Sequence, residues 1–104
     1  MSIETANVIH AAANVNADAG APAFFLNRGF TLLVRNGVGD YTLTLEQSAA
    51  FGESVVVVSG IDVANATVLI AGRPSPTTVQ VLVLTHAGVA VDGDFSIVVC
   101  KVVF

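Results

Sequence analysis

Four runs in this chain are apolar on both sides of an extended strand: residues 54–58, 66–71, 79–84 and 95–104. In the last, FSIVVCKVVF, side chains alternate across the backbone. Phe95, Ile97, Val99 and Val103 fall on one face, and Val98, Cys100, Val102 and Phe104 on the other. The runs are short, rich in β-branched residues and bounded by Gly, Pro, Asn and Asp, which reads as strands. They do not read as membrane helices. A spanning helix needs about 20 consecutive apolar residues. The longest uncharged stretch, 74–91, is interrupted by Pro76, Thr77, Thr78, Gln80, Thr85, His86 and Gly88.

The rest of the chain follows the same punctuation. NVIHAAANV at 7–15 fits either a first strand or an Ala-rich turn of helix, and NADAGAPA at 16–23 is a loop. FFLNRGFTLLVRN at 24–36 is one long strand or two, with Gly29 as a bulge or bend. NGVG at 36–39 is a turn. DYTLTL at 40–45 alternates cleanly, with Tyr41, Leu43 and Leu45 toward the core and Thr42 and Thr44 outward. EQSAAFGE at 46–53 is a loop with room for one helical turn. Pro74 and Pro76 in RPSP end the strand before them, and Asp92-Gly93 signals a tight turn before the final strand. Seven to eight or more strands without a helix predict an all-β, antiparallel, jelly roll-like sandwich. We divide the single domain into residues 1–23, an N-terminal arm or first strand with loop, and residues 24–104, the sandwich.

A sandwich covers only the inner face of each sheet, so at least one outer face should carry Val, Leu and Ile. Composition sharpens the point: 54% of the 104 residues are hydrophobic and 12% charged, against about 25% charged in ordinary soluble domains. No secretory leader is expected, because MSIETANVIH has Glu4 where a leader carries positive charge. Cys100 is the only cysteine, so no intrachain disulfide forms, and it is expected as a small buried hydrophobe. Self-association is the remaining way to hide the excess. A net charge of −4 with four scattered basic residues argues against a nucleic-acid partner.

Candidate chemistry is thin, and no enzyme, metal or cofactor is expected. His10, His86 and Cys100 would make three zinc ligands, but nothing in their spacing joins them. Asp92 and Asp94 are too few for calcium and are expected as solvated carboxylates of a hairpin turn. Ser59, His86 and Asp62 lack any nucleophile signature. NAT at 65–67 matches the N-glycosylation pattern but begins a strand. Arg28, Arg35, Arg73 and Lys101 are isolated. Lys101 either pairs with a neighbouring subunit's carboxylate or marks an exposed strand edge.

GVGDYTLTL, followed about fifty residues later by VDGDFSIVVCKV, resembles small phage structural proteins with the trimeric jelly roll of the tumour-necrosis-factor and complement type. AAANVNADAGAPAFFLNRGF resembles their entry strand and loop, so the similarity runs over roughly residues 10–104. It implies a homotrimer on the capsid surface of a virion: a decoration or cement protein that bridges subunits of the major capsid protein, without nucleic acid or membrane. Asp92, Asp94 and Phe95 would hold the last hairpin. Tyr41, Leu43, Leu45, Phe95, Ile97, Val99, Val102 and Phe104 would fill the core or the oligomer interface. The chain departs from fibre members in having no heptad or collagen-like segment before the domain. The alternative is a receptor- or glycan-binding tip of a phage tail fibre, which the lack of Trp and the single Tyr disfavour.

Overall fold

The structure, a computed structural model, describes residues 7–17, 21–60 and 68–102. Among them are eight strands: β1 (Asn7–Asn16), β2 (Ala23–Arg28), β3 (Phe30–Gly37), β4 (Asp40–Leu45), β5 (Ser54–Gly60), β6 (Val68–Ser75), β7 (Thr78–Leu84) and β8 (Phe95–Val102). They form two four-stranded sheets, ordered β2-β1-β8-β5 and β3-β4-β7-β6, in which every pairing is antiparallel. The expected all-β sandwich is what the chain forms. A single 3-10 turn, Phe51–Glu53, occupies the 46–53 loop.

Residues 7–16 resolve to a strand, and a central one, since β1 lies between β2 and β8. Its inward residues are small: Ala11, Ala13 and Val15, with Ala17 just past its end, are buried with the larger Phe30, Tyr41, Leu43 and Phe95 in one core. The 24–36 stretch is two strands in different sheets. Gly29 turns the corner at φ 91°, and a Cβ there would meet the His10 carbonyl at 2.8 Å and Ala11 Cβ at 2.9 Å. Only glycine fits both the backbone angle and the space. Asn27 brackets the corner, donating from Nδ2 to the Phe30 carbonyl (2.8 Å) and accepting the Phe30 N–H on Oδ1 (3.1 Å).

Three expectations are corrected. Residues 85–94 do not join β7 to β8 as a hairpin: the chain doubles back on the end of β7 through an antiparallel Leu84–Ala90 bridge and then crosses to β8 in the opposite sheet. β6 is not ended at Gly72 but runs through Arg73-Pro74 to Ser75 with an irregular register. Pro74 is tolerated because β6 is an edge strand. Lys101 does not mark an edge, because β8 is central in its sheet; it sits opposite Ser54, in register with the inward residues.

The fold is compact. Its accessible surface is 5734 Å², close to the roughly 5,500 Å² expected of a monomer of this mass. Yet twelve large hydrophobic side chains among the described residues remain exposed. The surplus is thus one of composition and not of loose packing.

Candidate functional site

Polar side chains gather at the two ends of the sandwich. At one end Asp92, on the crossover, is the centre of a network. Its Oδ1 accepts from Arg35 Nε (3.1 Å), the Gly39 N–H (2.9 Å) and the Tyr41 hydroxyl (2.5 Å); its Oδ2 accepts from Arg35 Nη2 (2.9 Å). The paired fork of guanidinium and carboxylate is the strong form of this contact. Side-chain exposure is 30% for Arg35 and 15% for Asp92, so the expectation of a solvated turn carboxylate and an isolated arginine is corrected. The Arg35 hydrogen bonds, opposed by burial and helped by Gly39 and Tyr41, hold the Asp92 carboxyl far below the usual carboxylate range. Burial first, then the bond to Asp92, pushes the Tyr41 phenol far above its ordinary value. Beneath the network the Tyr41 ring packs on Phe95 at 5.5 Å between centroids. The neighbouring Asp94 accepts the Ala17 N–H on Oδ1 at 2.8 Å, tying the crossover to the end of β1.

At the other end Arg73 is the clamp. It donates to Ser54 Oγ (2.8 Å) and to the carbonyls of Ala49 (2.8 Å), Pro76 (3.1 Å) and Thr78 (3.1 Å). Its guanidinium lies over the Phe51 ring at 5.4 Å. Burial draws its pKa down from the ordinary guanidinium value. His10 is engaged here too, its Nε2 lying 2.7 Å from the Gln47 carbonyl. Each of these groups is committed to joining loops and strands.

The outward faces differ. The centre of the second sheet is polar: Asn36 Nδ2 donates to Asp40 Oδ1 (3.2 Å) and Thr42 Oγ1 (2.8 Å), and Gln80 Nε2 donates to Asp40 Oδ1 (2.9 Å). Among its described residues the first sheet has one comparable contact, Ser96 Oγ to Asn14 Oδ1 at 2.6 Å. Beside it lies a shallow groove of about 330 Å³ over Ala12, Asn14, Ser96 and Val98, walled by Leu26 and Arg28. Val55 and Val57 on β5 are more than half exposed, at 53% and 56%.

The residues singled out from sequence therefore separate. Tyr41, Leu43, Leu45, Phe95, Ile97 and Val99 are all buried in the core of one copy. Val102 ends β8, while Phe104, Val103, Asp62 and the NAT triplet lie outside the described residues. Cys100 is half-buried and free, on the outward face opposite Ile9 and Val55. His86 is exposed in the crossover and Ser59 is exposed on β5. No three of His, Cys, Asp and Glu among the described residues group as metal ligands. Sequence reasoning missed the Asp92 network, whose members are 51 to 57 residues apart, and the Arg73 clamp. A single Tyr and two arginines within strand-like runs were the only available hints.

Compared with protein-family models, curated proteins and solved structures, the chain has no significant match.

Proposed function

We propose that this chain is a non-enzymatic, self-associating structural protein: a homotrimeric capsid decoration protein with a jelly roll-like sandwich, acting by covering apolar surface between identical shell subunits. The observation that carries the reading is the apolar exterior of a compact single copy. Among the described residues, twelve large hydrophobic side chains are exposed around one buried core cluster. Surplus of this kind on a folded surface marks an interaction site. The polar groups that the fold gathers at the two ends of the sandwich, Asp92, Tyr41, Arg35 and Arg73, are used in holding loops to strands. Bridging neighbouring subunits would stabilise a shell by mass action, since the bridge binds only the assembled state. The resemblance of GVGDYTLTL and VDGDFSIVVCKV to phage structural proteins supplies the shell as the setting.

The groove over Ala12 and Asn14 favours the second reading, a receptor- or glycan-binding tip. Co-sedimentation of the purified chain with expanded phage capsids, run beside a glycan array, separates the two. Saturable capsid binding with a blank array is expected. Glycan binding without capsid binding overturns the decoration reading.

A further inference from the structure

We propose that copies of this chain close a cyclic ring through the β5–β6 side of the sandwich, with the outward valines of β5 nearest the axis. The inference rests on the self-association argued above and names the surface responsible. β5 and β6 are edge strands of the two sheets and run against each other along one side of the molecule.

Charge is distributed unevenly around the sandwich. Strands β1, β8, β5, β6 and β7 contain two residues with a formal charge, Lys101 and Arg73. Lys101 is in register with the inward residues, and Arg73 is spent on Ser54 and three carbonyls. Arg28, Arg35 and Asp40 all lie on β2, β3 and β4. Among the described residues, the outward side chains of β8, β5, β6 and β7 are thus free of formal charge, so identical copies meet there without repulsion. That belt carries Val55, Val57, Val68 and Ile70, the last 48% exposed, with Val98 and Cys100 half-buried beside them.

The belt turns a corner, from the outer face of the first sheet to that of the second. Two copies stacked face to face would cover one part and leave the other wet. A ring covers both, because each copy sets the face of its first sheet against the β5–β6 side of the next, a heterologous contact that closes. The size is sufficient. Four strands about 4.8 Å apart and eight residues at about 3.3 Å give a face of about 500 Å². The molecule measures 45 × 24 × 23 Å, so its side is as broad as its face. Two such surfaces bury about 1,000 Å² per contact, the lower bound for a specific interface.

The test is analytical ultracentrifugation of the full chain with Val57→Glu, Ile70→Glu and, outside the belt, Val34→Glu on β3, with circular dichroism to confirm the fold. Val55→Thr is the shape-conserving variant if a glutamate impairs folding. The unaltered protein should sediment at three times 10.6 kDa. Val57→Glu and Ile70→Glu should raise the concentration at which the ring dissociates by about a hundred-fold or more, since each buries an unpaired charge, and Val34→Glu should not. A trimer unmoved by both belt variants, or broken by Val34→Glu instead, overturns the β5–β6 assignment and leaves self-association standing. A monomeric wild-type chain at micromolar concentration overturns both.

Discussion

Replacing Asp92 by alanine should be among the most damaging changes made outside the hydrophobic core. The Gly39 N–H and the Tyr41 hydroxyl both donate to Asp92 Oδ1, and Gly39 and Tyr41 are buried. Removing the carboxylate orphans two donors, each costing about 1–3 kcal/mol when left unpaired in the interior. Arg35 is partly exposed and turns to water, so it adds no separate figure. The sum is about 4 kcal/mol, against a total of about 5–10 kcal/mol for a domain of this length. Urea denaturation followed by circular dichroism reads the loss directly, and the melting temperature should fall by roughly 15–25 °C. Tyr41→Phe alone removes one donor and should cost about 1–1.5 kcal/mol. In the Asp92→Ala background, Tyr41→Phe should cost nothing or restore part of the loss, because the orphaned hydroxyl is then gone. A cost below about 1 kcal/mol for Asp92→Ala, or strict additivity of the two changes, would refute the network. The pH dependence has two limbs. The depressed Asp92 pKa makes its contribution fully present above the ordinary carboxylate value of 3.8, to be lost as pH falls through the lower folded value. The raised Tyr41 pKa makes its contribution fully present below 10.0, to be lost as pH rises toward the folded value. Tyr41→Phe should remove the alkaline limb and weaken the acid limb, which the Arg35 and Gly39 bonds to Asp92 still hold in place.

Gly39→Ala should cost about 3 kcal/mol or more, measured by the same denaturation curve. Its φ is +66°, and the added Cβ would lie 2.5 Å from the Val83 carbonyl oxygen and 2.8 Å from that of Val91. Gly37→Ala, two residues earlier with nothing within 4 Å, should be neutral or slightly stabilising. Val99→Asp should abolish the cooperative transition, because it puts an unpaired charge in a fully buried site of a central strand. Val98→Asp, facing outward, should leave the far-ultraviolet spectrum intact.

How legible the fold was depended on where polar residues fall. DYTLTL declared its own inward face, since Thr42 and Thr44 leave no choice for Tyr41, Leu43 and Leu45. FSIVVCKV offered no such contrast. Its inward set is decided by partners far away: Ile97 and Val99 lie in register with Ala13 and Ala11 of β1, whose small side chains leave room for them. Gly29 was legible as a bend but not as a change of sheet, because a corner and a bulge make the same demand on one residue. Asp92-Gly93 read as a hairpin for the same local reason. What makes it a crossover is the pairing of β8 with β1 and β5 in the other sheet, while Arg35 and Tyr41 hold Asp92 to the sheet of β7; no nearby residue announces either.

The same reasoning bears on function. One row across the outside of the second sheet reads Val34–Thr42–Gln80–Gly72, with a hydrogen-bonded centre that suits water. A row across the first reads Arg28–Ala12–Val98–Val57, with one charge at an edge and apolar side chains over the other three strands. Both rows come from a chain with few charges to place, and it has placed Arg28, Arg35 and Asp40 on the half away from β5. Scarcity alone would have scattered four basic and eight acidic residues without regard to strand. Their absence from the outward side of five neighbouring strands is what turns an oily composition into an argument about one particular surface.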